Sequence, residues 1–348
     1  MPDIMKKLHL PVLLLSFLFL FSACGNQKED NSKNVLMKSG SSGKTYELLV
    51  VCGDNVWESS IGSTIRDFFS TYDSTINQTE PLYTTPHITP ATFEKNTMFQ
   101  NHRNLILVVI DLSADPKIEK ISNKYAQPQR IFRFTVRNEA EFNKLFDEYK
   151  HTIYSTFVEA ERIRINRFFS QQKDFKMEAF LTKKFGVKLS MPNGFSIAKE
   201  ANDFVWLWRK TPKVDYGIMV FTVPYIDTTQ LDERTILLTR NSLTFAHIPG
   251  DLAGSYMKVS EQFPVSSRSL SFNGHYAIES RGLWETEGDF MGGPFLHYAV
   301  VDEENSRIIH LDAFLYAPGQ DKRAELMQLE AILYTFALVN SKEANGNS

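Results

Sequence analysis

Three short apolar runs, "YELLVVC" (46–52), "NLILVVID" (104–111) and "RIFRFTV" (130–136), constrain this chain more than any other feature. The first two are short continuous apolar runs suited to buried strands, and the third, in which Arg133 and Thr135 interrupt the apolar residues, reads as a further strand. Between them the spacing turns helical. "SSIGSTIRDFF" puts Ile61, Ile65 and Phe68 on one side, and "ADPKIEKISNKY" is expected to form a helix with Pro116 in its first turn. Strand and helix in alternation predict an α/β layer with at least partly parallel strands.

A long helix is expected to start at Asn138, with Glu141 three residues on in the capping-box position. Phe142, Leu145, Tyr149, Ile153, Phe157, Ala160 and Phe168 then keep a near-helical period. Within it, Arg162, Arg164 and Arg167 offer a basic patch for headgroups or nucleic acid, but the interleaved Glu159 and Glu161 favour a salt-bridged helix surface. A second helix over 175–186 closes at Gly186 as a C-cap. Beyond it the texture changes to strands around a Pro-Asn-Gly turn, a further strand at "YGIMVFTVPYI", a helix over 232–248, antiparallel strands near 268–284 and 294–316, and a closing helix. The reading is an α/β layered domain over 45–186 and an α+β domain, an antiparallel sheet with packed helices, over 187–340. Residues 341–348 are read as an unstructured tail. Two domains suit 348 residues.

The N-terminus has the layout of an export signal. Lys6 and Lys7 precede the apolar run 8–21, and small Ser22 and Ala23 precede Cys24. The run is shorter than the roughly 20 residues of a spanning helix. Residues 25–44, rich in Ser, Gly, Lys and Asn, read as a flexible tether. Cys52 is the only other cysteine, so the domains have no internal disulfide to draw on, and its place at the end of a buried strand reads as packing rather than nucleophilic chemistry. Net charge is −3, or −4 once the leader with its two lysines and Asp3 is set aside, which excludes a strongly basic nucleic-acid surface.

Phe21-Ser22-Ala23-Cys24 resembles the lipobox of bacterial lipoproteins, with Phe21 in place of the more usual Leu. The resemblance implies a signal peptide over 1–23, lipidation of Cys24 and a membrane anchor of several acyl chains. Gln27-Lys28-Glu29-Asp30 resembles the lysine-then-acids export signal of Bacteroidota lipoproteins, implying display on the outer membrane, with the periplasmic face as the alternative. The stretches "GKTYELLVVCGDNVWESSIGSTIRDFF", "RNLILVVID" and "RGLWETEGDFMGGPF" are similar to a Bacteroidota lipoprotein family known as a domain of unknown function. The "LSMPNGFSIAKE" start of the second half looks like the PsbP-like α/β/α sandwich, a scaffold that fixes no function.

Three constellations carry possible chemistry. Asp54 and Asp111 each follow a predicted strand end, where open α/β sheets hold ligands, so two carboxylates can face one crevice and hold a cation. The competing reading makes both into turn and helix-start residues. If Glu304-Asn305 is a hairpin turn, His297 lies opposite Asp312 and His310 shares their face, a set able to bind zinc or simply to form the wet side of the sheet. The segment "EGDFMGGPF" (287–295) has turn-forming Gly288 and Asp289, then Phe290, Met291, Gly292, Gly293 and Pro294. Either Phe290 folds back as a plug for its own core, or Phe290 and Met291 form an exposed apolar patch of the kind partners bind.

G-x-S-x-G, H-E-x-x-H and C-x-x-C are absent, and no cofactor is implied. The expected function is a non-enzymatic envelope lipoprotein, held in the membrane through Cys24, that binds a protein or glycan partner and no nucleic acid. The alternative is an envelope metal-dependent hydrolase using Asp54 and Asp111 or the His297, His310 and Asp312 face.

Overall fold

A computed structural model describes residues 39–339 apart from 74 and 77. The leader, Cys24, most of the tether and the 341–348 tail lie outside the described residues. In chain order the first half comprises β1 (Leu49–Val51), α1 (Asp54–Trp57), α2 (Ser60–Ser70), β2 (His87–Ile88), α3 (Pro90–Lys95), α4 (Thr97–Gln100), β3 (Asn104–Ile110), β4 (Lys117–Ser122), β5 (Arg130–Val136) and α5 (Glu139–Phe169). The sheet order is β2-β1-β3-β5-β4, with β2, β1, β3 and β5 parallel and β4 antiparallel at the edge. The first two runs are almost wholly apolar because both faces of the sheet are covered. Val50, Cys52, Ile106 and Phe134 pack under α2 and α5, while Leu49, Val51, Leu105 and Ile131 pack with Phe93 of α3 on the other side.

Residues 117–122 form a strand where the sequence predicts a helix. The spacing of Ile118 and Ile121 looks helical, but in β4 it sends Ile118 to one core and Ile121 to the other, opposite Phe134 and Ile131 of β5. The interleaved Lys117, Glu119 and Lys120 suit an exposed edge, where charge blocks further pairing.

α5 starts as expected: the Asn138 side chain accepts from the Glu141 N–H at 3.1 Å. The Glu141 carboxylate does not return to the cap but accepts from Arg137 N and Nε. Phe142, Ile153, Phe157 and Ala160 are buried as predicted, whereas Phe168 is exposed and Phe169 buried. The face changes there because the last turn leaves the first core and enters the second.

The second half comprises α6 (Phe175–Phe185), β6 (Val187–Lys188), β7 (Ser196–Ala201), β8 (Phe204–Lys210), β9 (Asp215–Pro224), α7 (Glu233–His247), β10 (Tyr256–Val259), β11 (Ser266–Phe272), β12 (His275–Glu287), β13 (Gly292–Asp302), β14 (Arg307–Tyr316), α8 (Arg323–Leu333) and β15 (Ala337–Leu338). Its antiparallel sheet runs β10-β12-β13-β14-β9-β8-β7, with β11 beside β12. α6 and α8 cover one face with Leu181, Leu329 and Ile332 against Val220, Leu296 and Leu311. α7 lies on the other, where Leu237 and Leu243 meet Phe221 and Phe295. Gly186 ends α6 at φ +65, the left-handed conformation expected of its C-cap. The expected boundary at Gly186 falls after a helix whose Met177, Leu181 and Phe185 belong to the second core.

Candidate functional site

The face of the second sheet that carries α7 is built from aromatic residues. Trp206 and Trp208 of β8, two apart and so on one side, stack with ring centroids 5.3 Å apart. Trp208 lies opposite Gly217 of β9, and Gly217 opposite Phe314 of β14. A Cβ at Gly217 would come within 2.1 Å of the Phe314 ring, so glycine is what lets that ring lie over β9. The device repeats beside Trp284 of β12. Its cross-strand partner is Gly293, whose added Cβ would meet the Leu315 carbonyl oxygen at 2.0 Å. The Trp284 indole N–H donates to that oxygen at 3.2 Å. These rings, with Met291 and Tyr316, wall a cavity of about 130 Å³ rimmed by Lys210, Asp215 and Asp251. Three of the four tryptophans line it. Burial holds the Asp215 carboxyl above its ordinary value.

The β12–β13 loop adjoins this cavity through Thr286 and Met291, and its tip with Phe290 lines a neighbouring concavity. Gly288 turns at φ +77. The Asp289 carboxylate accepts from the N–H of Phe290 at 2.7 Å and from those of Asp251 and Leu252 at 2.9 and 3.3 Å, tying the loop to the one that follows α7. At the two tips Phe290 is 100% exposed and Leu252 55%. The plug reading of Phe290 is therefore overturned. The rest of the expected loop does not protrude. Met291 packs on the aromatic core, and Gly292, Gly293 and Pro294 open β13, with Pro294 buried opposite Leu283.

The hairpin register is as predicted, with His297 opposite Asp312 and His310 opposite Ala299. The polar side is neither wet nor open, because α7 covers it and brings in Arg240. Arg240 binds Asp312 through Nε at 2.7 Å and Nη2 at 3.3 Å and lies over the Phe295 ring. His297 Nδ1 is 2.9 Å from Asp312, and its Nε2 is 2.9 Å from His310 Nδ1. All four residues are at most 1% exposed. Burial pushes His310 well below the ordinary imidazole value, with His297 adding to it. Burial alone would raise Asp312, but Arg240 and His297 bring it below the ordinary carboxylate value. An ionised Asp312 only accepts, so His297 donates from Nδ1 and shares its Nε2 hydrogen bond with His310 Nδ1, while His310 Nε2 is buried with no partner among the described residues. Asp312 is paired with Arg240 and His297 through three hydrogen bonds, which accounts for it as the counter-charge of Arg240 rather than as a zinc ligand. Arg240 escaped the sequence reading, although it sits on the buried stripe Ile236-Arg240-Thr244 of α7.

Asp54 and Asp111 do follow neighbouring parallel strands. Asp54 opens α1, and Asp111 accepts from the N–H and Oγ of Ser113 at 3.0 and 2.7 Å, bonds that hold it below the ordinary carboxylate value. Among the described residues no group of three His, Cys, Asp or Glu side chains is arranged to hold a metal ion. Burial first, and then Asp54, push the Cys52 thiol up to about 12, where it is inert as a nucleophile. Arg164 pairs with buried Glu161 at 2.8 Å and Arg162 with Glu330 at 2.9 Å, so these two are tied inward rather than forming an exposed patch.

Fold and site together define a protein of two mixed helix-and-sheet layers with an aromatic cavity at the edge of the second. Residues 41–170 match a domain of unknown function (DUF8532), and residues 173–335 match another domain of unknown function (DUF4837); the chain carries both. Their junction lies where α5 passes from the first core to the second. No curated protein matches the sequence. Among solved structures, the Ran-binding protein Mog1p of Saccharomyces cerevisiae is similar at 9% identity over 45% of this chain and 92% of its own, with a TM-score of 0.28. A point mutant of the protein Mog1 gives 10% identity over 45% and 93%, with a TM-score of 0.27. The thioesterase HI1161 of Haemophilus influenzae gives 10% identity over 43% and 96%, with a TM-score of 0.15.

Proposed function

We propose that this protein is a lipid-anchored envelope binding module that docks a protein partner at the Phe290 loop and the tryptophan-lined cavity beside it. The observation that carries the reading is a fully exposed phenylalanine on a loop whose backbone is pinned by Asp289. An apolar tip held in place loses little conformational freedom on binding, and Trp, Tyr, Phe and Met are the residues enriched at partner surfaces. The cavity, at about 130 Å³, is near the size that holds a benzene-scale group, so it suits one apolar side chain from the partner. Trp284 and Phe314, 3% and 5% exposed, offer no open ring face for a sugar, which leaves a glycan only the half-buried Trp206, Trp208 and Tyr316. Helices on both faces of the second sheet support its reading as a PsbP-like sandwich. The lipobox resemblance supports the anchor at Cys24 and outer-membrane display.

The combined variant Phe290→Ala, Leu252→Ala tests the docking reading. Its melting temperature should match wild type, and the amount of a defined partner retained after envelope solubilisation should fall at least tenfold. Undiminished retention would sink the reading, and retention lost only after glycan digestion would replace the protein partner with a glycan.

A further inference from the structure

A second concavity lies on the opposite side of the second sheet, where α5, α8 and the β11–β12 hairpin meet. It has a volume of about 520 Å³, and its charged lining is Arg162, Arg268, Arg281 and Arg323 with Glu279, Glu330 and Asp73, alongside His151. Its size falls within the roughly 300–1,000 Å³ of small-molecule sites. We propose that this cleft binds a small molecule carrying an oxyanion group, a carboxylate or a phosphate.

The arginines come from three separate parts of the chain and are held before any ligand arrives. Arg281 donates from Nε to Glu279 at 3.0 Å and contacts Glu330 through Nη2 at 3.0 Å. Arg162 binds Glu330 through Nη1 at 2.9 Å, with its guanidinium 3.7 Å from the Tyr334 ring centroid. Arg323 lies 4.0 Å over the Tyr46 ring and donates from Nη2 to Tyr154 at 3.0 Å. Arg268 uses only Nε, toward Glu279 at 3.0 Å. Each guanidinium has three nitrogens, so each of the four keeps at least one without a protein partner among the described residues. None of those nitrogens on Arg162, Arg281 and Arg323 is among the fully buried unpartnered polar atoms, and Arg268 is exposed, so the spare donors keep contact with solvent.

The acceptors are spent in the opposite way. Glu279 receives Arg268, Arg281 and the Tyr298 hydroxyl, Glu330 receives Arg162 and Arg281, and Asp73 receives the Thr75 N–H and hydroxyl on Oδ1, so four guanidiniums face three carboxylates that already accept hydrogen bonds. What remains on offer is donor-rich and permanently positive, and its complement is an acceptor-rich anion. Burial alone would raise Glu279, yet Arg281 and then Arg268 lower it to about 2, so it is not a proton donor near neutrality. Glu279 therefore serves as an acceptor that holds Arg268 and Arg281 in place.

The test is thermal-shift and calorimetric titration of the full chain with sodium phosphate, sodium succinate and a neutral diol, at constant ionic strength. Phosphate or succinate should raise the melting temperature in a saturable way, and the diol should not. Arg268 is the variant of choice because its side chain is 66% exposed. Arg268→Ala should keep the unliganded melting temperature and weaken the anion at least fivefold, while Arg234→Ala, on exposed α7 surface, should leave it unchanged. Saturation by phosphate alone or succinate alone names the group. Absence of a saturable shift with either anion, or an equal shift in wild type and Arg268→Ala, overturns the proposal.

Discussion

Phe290 and Trp284 sit six residues apart on the same hairpin and do opposite work. Trp284 is 3% exposed, donates to Leu315 and abuts Phe314, so Trp284→Ala opens a large void and should cost about 3–5 kcal/mol in denaturant unfolding. Phe290 touches no core, and Phe290→Ala should stay within about 0.5 kcal/mol of wild type. His310 carries a pH signature. Its folded value lies below the ordinary value of about 6.5, so it stays neutral in the native state while the unfolded chain takes up the proton. Stability from this group is complete above about pH 6.5 and declines as pH falls, by at most about 1.4 kcal/mol per pH unit. His310→Gln, whose amide can donate to or accept from His297, should flatten the fall in melting temperature between pH 7 and 5. Equal slopes would show that His310 is not held neutral.

At the scale of elements, the strands that read most clearly were those whose neighbours are close in sequence. The Glu304-Asn305 turn sets the β13–β14 register, and from it His297 opposite Asp312 follows with no knowledge of the rest of the fold. What covers that face is not local. Arg240 arrives on α7, 72 residues before Asp312, and nothing in "HLDA" announces it. β4 was misread because an isoleucine spacing of three serves equally as one helix face or as the two faces of a strand, and only pairing with β5 decides. The aromatic cavity was hidden for a similar reason. Its rings come from β8, β12 and β14, and the signal lies in glycines placed across from them, visible only in register. Gly217→Ala should therefore destabilise the second sheet by about 1–3 kcal/mol through forced displacement of Phe314, and lower tryptophan burial measured by fluorescence quenching.

Across the whole molecule, the two halves are joined by polar contacts as well as by α5. The Glu80 carboxylate accepts from the N–H groups of Lys322 and Arg323 at 2.7 and 3.0 Å, so a side chain of the first half caps the start of α8 in the second. Glu80→Ala should cost about 0.5–2 kcal/mol and expose 318–324 to limited proteolysis earlier than in wild type. The sequence places the change from alternating strand and helix to strand-rich texture at Gly186, but α6 packs in the second core, because its period shows that it has a buried face and not which sheet receives it. The central claim is that the Phe290 loop meets a partner, and site-specific photo-crosslinking in intact cells tests it most directly. A photoreactive residue at 290 or 252 should give one discrete, protease-sensitive adduct of the same mass. The same residue at Leu112 or Ile226, apolar side chains 81% and 79% exposed elsewhere, should give none. Identical adduct patterns at all four positions, or none at 290 and 252, would contradict the account.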